Sequence, residues 1–349
     1  MKEDKTSMKK YDVIIVGGGP AGVAAAKVLK QNHISFCIIE KEKFPREKLC
    51  AGGLTHKSQK LIEKLDLDIQ EISVQKCESI QLVSNKRNEK IPLVNPILMV
   101  NRTEFDNSNI KQVTENNLFE SEKVLRIEND VLITDQERYV FRYIIFADGA
   151  NGYSRRLISN REFGYFFEYQ TNAVLEETIF DFSILPKGYG WVFPKKDHTT
   201  VGLGQFSDEK IDYMELFHYF SEKYHLDIEE AKIKGYPIPI YSKKIYKNSV
   251  IDNKFVLVGD AASLVDQVSG EGIYYALLSG KAAAESIILC LNYKMQLKDT
   301  YFQKTKKMYI ELNKRSFLSK LLYSKHKDFF IKLGLSNPLF MRHIHQLFG

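Results

Sequence analysis

At 349 residues, 44% hydrophobic and 27% charged, the chain can bury a substantial core and is long enough for two domains, or for one large domain with an insertion. Its four cysteines, Cys37, Cys50, Cys77 and Cys290, form no CxxC pair and no Cys/His ligand spacing, so neither a disulfide framework nor a zinc site is indicated. The net charge of +6 is uneven: residues 298–349 hold 11 Lys and Arg against 3 Asp and Glu, the rest holds 39 against 41, and no nucleic-acid-binding signature accompanies the basic end.

The opening "MKEDKTSMKKYDV" is polar, and no run reaches the uncharged length of a membrane span, so a cytoplasmic protein is expected. Residues 12–16 then read as an apolar strand, Gly17, Gly19 and Gly22 as a G-x-G-x-x-G turn, Ala24, Ala25 and Val28 as the start of a helix, and residues 35–40 as a second strand ending in Glu40. That is a whole β-α-β unit. Gly17 permits the tight turn, Gly19 lets backbone approach a pyrophosphate, Gly22 lets helix and strand pack closely, and the helix N-terminus faces the phosphates. Glu40, 21 residues after Gly19, stands where a carboxylate grips ribose hydroxyls.

Residues 75–98 alternate like short strands, "NRTEFDNSNIKQVTEN" reads as a helix, and the stretch up to "YIIFADGA" reads as a small meander feeding a buried strand. Residues 165–245 mix aromatic strands with one helix. A last buried strand runs into Gly259 and Asp260, followed by Gly270 and Gly272 at the start of another helix, "GIYYALLSGKAAAESIILCL". In a doubly wound sheet the ligand lies across the carboxyl ends of the strands, so Asp260 can reach the same dinucleotide as Glu40 and hold the ribityl chain of a flavin. The second helix would aim its amide end at the flavin ring. The basic tail interleaves lysine with Phe, Leu and Tyr; it reads either as a terminal helix pair with solvated lysines or as an interfacial amphipathic helix.

Together "GGGPAG", "FPREKLCAGGL", "YIIFADGANG" and "GDAASLVDQVSGEGIYYAL" resemble the FAD-dependent geranylgeranyl reductase family, a branch of the para-hydroxybenzoate hydroxylase-like flavoproteins. "LPKGYGWVFPKKDHTTVGLG" is similar to that branch's YxWxFP…GxG signature, through Tyr189, Trp191, Phe193, Pro194, Gly202 and Gly204. The resemblance implies an α/β fold: a discontinuous Rossmann-type FAD-binding domain (1–74, 99–158 and 247–290), an inserted antiparallel-sheet substrate cap (75–98 and 159–246) and C-terminal helices (291–349). It implies that Gly17, Gly19, Gly22 and Glu40, with their neighbours Pro20, Ala21 and Lys41, hold the ADP half of FAD. Arg46 and Arg102 would touch the cofactor from the side, and Gly259 and Asp260 would hold the pyrophosphate and ribityl. Cys50, Ala51 and Gly52, with Gly270, Gly272 and Ile273, would border the flavin ring.

Three positions depart from the family pattern. Asp266-Gln267 replaces an Asn-Pro or Asp-Pro pair, Gly152 and Ser154 replace other residues after Asp148-Gly149, and Ala51 stands where glycine is usual.

The implied reaction is reduction of a C=C bond in an isoprenoid lipid or quinone, hydride coming from reduced flavin. Tyr189, Trp191 and Phe193 would wall the apolar substrate, and Cys50, Tyr189 or an ordered water would supply the proton. No second β-α-β fingerprint exists for NAD(P)H, so the electrons would come from a transiently docked nicotinamide or a small carrier protein. The basic tail would rest on an anionic membrane surface on the cytoplasmic side. The alternatives are a flavin monooxygenase acting on a small apolar or aromatic molecule, and a flavin-binding protein without turnover.

Overall fold

In the computed structural model, residues 8–336 are described, except 71, 73, 160 and 208. The Val13–Val16 strand lies in the middle of a six-stranded sheet, and all four of its residues are buried. Burial on both faces is why the run is continuously apolar: Val13 and Ile15 meet one core, Ile14 and Val16 the other. Across the sheet come Val250–Ile251, Phe255–Leu257, Tyr143–Phe146, Val13–Val16, Phe36–Ile39 and Leu118–Phe119, all parallel except the first. The first core is closed by the helices Pro20–Gln31 and Ile273–Tyr293. These approach so closely that a Cβ on Gly280 would lie 2.8 Å from the carbonyl carbon of Ala21. The second core is covered by a small sheet of Lys9–Lys10, Arg138–Val140, Val131–Thr134 and Val124–Glu128.

The cap is an eight-stranded sheet, ordered Lys234–Pro239, Phe163–Thr171, Thr199–Gln205, Gly188–Pro194, Thr178–Asp181, Val74–Ser84, Arg87–Val100 and Gly53–Leu54. A single parallel pairing, Thr178–Asp181 on Val74–Ser84, joins the early and late cap segments into one surface. One face buries Phe217 and Phe220 of the helix Tyr213–Lys223. The other is aromatic, with Phe166, Phe180, Tyr189, Trp191 and Phe193 in one cluster.

Register explains the paired glycines of "VGLGQ". Trp191 lies opposite Gly202, and Tyr189 and Phe166 lie on either side of Gly204. A Cβ on Gly202 would fall inside the Trp191 indole, and one on Gly204 inside the Phe166 ring. The missing side chains are the space in which the rings lie flat on the sheet.

The tail packs on the body. Helix Leu297–Leu322 buries Tyr301, Met308 and Leu312, and helix Lys327–Ser336 buries Ile331. Tyr323 donates to the carbonyl of Val268 at 3.1 Å, and Lys327 to those of Phe182 and Leu185 at 2.7 and 2.9 Å. The rest of the basic tail, 337–349, lies outside the described residues. Among those described, only Ile273–Tyr293 is long and apolar enough to cross a membrane; 67% of its apolar window is buried in the protein, as befits a core helix.

Candidate flavin and substrate cleft

A cleft of about 1330 Å³ runs across the carboxyl ends of four parallel strands, touching Val16, Ile39, Ala147 and Val258, and continues under the aromatic face of the cap. Its floor is built from close approaches. Gly17 has φ +101°, and a Cβ there would lie 2.8 Å from the carbonyl carbon of Ala147. Gly259, at φ +56°, sits between Ala21 and Ala276, in the first turns of the two core helices, where a Cβ would be 3.4 and 3.2 Å from theirs. The Gly259 N–H donates to Ser279 Oγ at 2.9 Å. Strand end and both helix starts therefore converge on one point.

Glu40 is fixed by the N–H groups of Gly18 (2.8 Å) and Glu42 (3.1 Å). Arg46 lies across the cleft wall, 3.8 Å from Glu40 and 3.2 Å from Asp106. Arg102 makes two bonds to the same Asp106, at 3.0 and 2.9 Å. One buried aspartate thus orients both arginines.

Gly19, Pro20, Ala21, Lys41, Cys50, Ala51, Gly52, Asp260, Gly270, Gly272 and Ile273 all border the cleft, together with Gly17, Glu40, Arg46, Arg102, Tyr189, Trp191 and Phe193. Two of the predicted set stand behind its wall. Gly22 serves helix-on-strand packing, a Cβ there lying 3.1 Å from the carbonyl carbon of Gly17, and Gly259 is the pivot just described. Tyr189 donates its hydroxyl to the carbonyl of Ser269 at 2.8 Å, so it braces the glycine loop; burial, then Asp266, hold its pKa above the usual range.

These residues fit a flavin dinucleotide. Helices Pro20–Gln31 and Ile273–Tyr293 both begin at the cleft with no side-chain cap and no acid in the first turn, leaving their N–H groups for an anionic or electron-rich ligand. Arg46 Nε is buried without a hydrogen-bond partner.

A family model described as pyridine nucleotide-disulphide oxidoreductase matches residues 11–177. An uncharacterized protein of Methanosarcina barkeri is 37% identical over 304 residues, covering 80% of this chain and 75% of that one. The geranylgeranyl diphosphate reductase of Rhodobacter capsulatus is 29% identical, covering 81% and 76%. The chain belongs to the FAD-dependent geranylgeranyl reductase family. A geranylgeranyl bacteriochlorophyll reductase-like protein of Thermoplasma acidophilum shares the fold, with TM-score 0.72 at 21% identity over 92% of this chain and 91% of that one. This chain is an FAD-dependent oxidoreductase.

Against the usual pattern of geranylgeranyl reductases, the departures have local explanations. A Cβ on Gly152 would lie 2.5 Å from that of Asp148, whose carboxylate accepts from the N–H (2.8 Å) and Oγ (2.6 Å) of Ser154. Gly152 and Ser154 are thus one coupled change. Ala51 is not among the residues of positive φ and packs against the aromatic cluster, so its methyl brings no backbone strain. The loop at Gln267 is ordered by its neighbour: Asp266 accepts from Val268 N–H and Ser269 Oγ, both at 2.9 Å, and pairs with Arg315 of the tail at 3.5 Å.

The buried ionisable residues not evident from sequence include Asp106, Glu271, Glu168 and Lys195. Glu271 lines the cleft, accepts from Thr55 and from Ser58 (3.2 Å), and has its pKa raised by burial. Glu168 and Lys195 lie behind the turn at 50–52, 5% and 4% exposed. Lys195 donates to the carbonyls of Ala51 and Val100. Burial pushes its pKa down to about 8, against the pull of Cys50 and Glu168.

A group depressed from 10.5 to about 8 carries its charge at a cost at neutral pH, and that cost is relieved as the pH rises through 8 toward 10.5. Stability of the parent, measured by urea unfolding relative to Lys195→Met, is expected to improve by roughly 2–3 kcal/mol between pH 7 and 10. A flat difference over that range would mean that Lys195 is neutral throughout or solvated.

Proposed function

We propose that the protein saturates carbon–carbon double bonds of an isoprenoid lipid or quinone. The observation that carries this reading is the aromatic wall of Phe166, Phe180, Tyr189, Trp191 and Phe193, sharing one cleft with the glycine-rich turns at 50–53 and 269–272. Such a wall excludes water and recognises a chain by area and shape alone, as a ligand without polar groups requires. When bound, reduced flavin supplies a hydride. The protein's part is to hold the alkene flat against Trp191 and Phe193 and to give a proton to the second carbon; Cys50 is the donor in this reading, while Tyr189 keeps the loop at 269–272 in place. NAD(P)H or a small reduced carrier protein recharges the flavin.

The test is anaerobic. With its flavin photoreduced, the holoprotein is mixed with a prenylated lipid or quinone, and the oxidised-flavin absorbance is followed. Recovery of that absorbance with a product two hydrogens heavier is expected. No recovery until oxygen enters, followed by an oxygenated product, would instead make the protein a monooxygenase.

We also propose that the tail rests on the anionic cytoplasmic surface of a membrane, from which so apolar a substrate is drawn. Ile310 and Phe317, seven residues apart on one helix, are 44% and 67% exposed, and Phe329 and Leu333 on the next are 60% and 52% exposed. Exposed Lys314, Lys320 and Lys332 stand among them. The protein is expected to sediment with phosphatidylglycerol vesicles at low salt and not with phosphatidylcholine vesicles. The pair Phe317→Ser and Phe329→Ser should release it. Equal sedimentation with both lipids, or none with either, would overturn this.

A further inference from the structure

The turn of Cys50, Ala51 and Gly52 belongs in sequence to the nucleotide-binding half but is stitched to the cap. Gly52 accepts from the N–H of Val100 at 2.9 Å, and the short strand Gly53–Leu54 pairs with Leu98 and Met99. Two further grips come from buried side chains of opposite charge. The Cys50 N–H donates to Glu168 Oε1 at 2.7 Å, while Glu168 Oε2 accepts from Tyr236, a cleft-lining hydroxyl, at 3.2 Å. Lys195 bridges the carbonyls of Ala51 and Val100, the latter at 3.1 Å. Gly52, at φ +73°, leaves the room: a Cβ there would lie 2.7 Å from Lys195 Nζ.

Burying an ionised group costs several kcal/mol unless it is paired and fully hydrogen-bonded, and an apolar pair would fill the same core at less cost. Here every hydrogen bond of the Lys195 side chain, and one of the two made by the Glu168 side chain, ends on the backbone at 50–52 or on Val100 beside it. The charges grip a turn; they do not bond to each other.

We propose that Glu168 and Lys195 are positioning residues that hold both sides of this turn, so that the Cys50 side chain stays directed along the cleft wall beside Arg102. The device is a backbone clamp delivered from the cap strands, and it operates whichever molecule is reduced in the cleft.

The thiol itself reports on the clamp. Cys37, Cys77 and Cys290 are buried while Cys50 is partly exposed, so limited alkylation of the native holoprotein by iodoacetamide, mapped by mass, follows Cys50 alone. Glu168→Ala is expected to raise the Cys50 alkylation rate at least tenfold and to shift the visible flavin band. Glu168→Gln, whose amide oxygen still accepts the Cys50 N–H, should return the rate to within twofold of the parent. Should Glu168→Ala fail to fold, Lys195→Met releases the other side of the turn and is expected to give the same acceleration. A Cys50 rate within twofold of the parent in both truncations, or an equal acceleration in Glu168→Gln, would overturn the proposal. Because alkylation needs no substrate, its failure is distinguishable from failure of the reductase reading.

Discussion

Gly17→Ala is expected to yield a nearly colourless protein. The position needs φ +101°, and an added methyl would also press on the carbonyl of Ala147, at the carboxyl end of the neighbouring strand. A left-handed conformation costs an L-residue on the order of 1–2 kcal/mol, and the overlap adds to it, for a total of about 3 kcal/mol. Relief requires the turn at Gly17 and the Ala147–Asp148 segment to move apart, and both border the cleft. Flavin affinity should fall at least a hundredfold, read as the ratio of visible to 280 nm absorbance, and the melting temperature by several degrees. A fully yellow Gly17→Ala with parental melting would contradict the cleft floor described here.

Gly202→Ala should separate substrate handling from flavin binding. Its methyl would occupy the space of the Trp191 indole, which is 2% exposed and borders the cleft. Overpacking of this kind costs roughly 1–3 kcal/mol, so the protein should fold and keep its flavin within twofold. On the proposed function, turnover of a prenylated substrate should drop at least fiftyfold, because the ring would fill the space which that reading assigns to the substrate chain. Adding Trp191→Leu should recover stability but not turnover, a non-additivity that a double-mutant cycle measures. Unchanged turnover in Gly202→Ala would remove Trp191 from the substrate wall.

The parts of this molecule legible from sequence are those where local pattern and tertiary role coincide. The glycine turn, the apolar strands and the acid at residue 40 each carry their reason within a few residues, and the structure assembles them around Val13–Val16. The aromatic signature was equally visible, although why Gly202 and Gly204 accompany it required the cross-strand register. Glu168 and Lys195 were hidden for a physical reason. On a strand such as Phe163–Thr171 a charge ordinarily marks the solvent face, and only the placement of Phe166 and Glu168 two residues apart, on one side, hints that this one points inward. Glu271 stood inside a stretch rich in glycine, where backbone freedom draws attention away from a side chain. The tail's inner face rests on contacts with loops far back in the chain, among them Asp266 with Arg315, which no local pattern encodes.

The tight seat of Gly280 against Ala21 has a bearing on how the protein is made. Residues far apart in sequence must meet before the cleft floor is complete, and Phe255–Leu257 joins the central sheet just as late. A growing chain still attached to the ribosome can form its first β-α-β unit and its cap hairpin, but the apolar side of Pro20–Gln31 stays uncovered until helix Ile273–Tyr293 has emerged. Contacts of such long sequence separation slow folding and prolong exposure of apolar surface. Cofactor capture therefore waits until helix Ile273–Tyr293 has packed on the first β-α-β unit, because residues of both border the cleft.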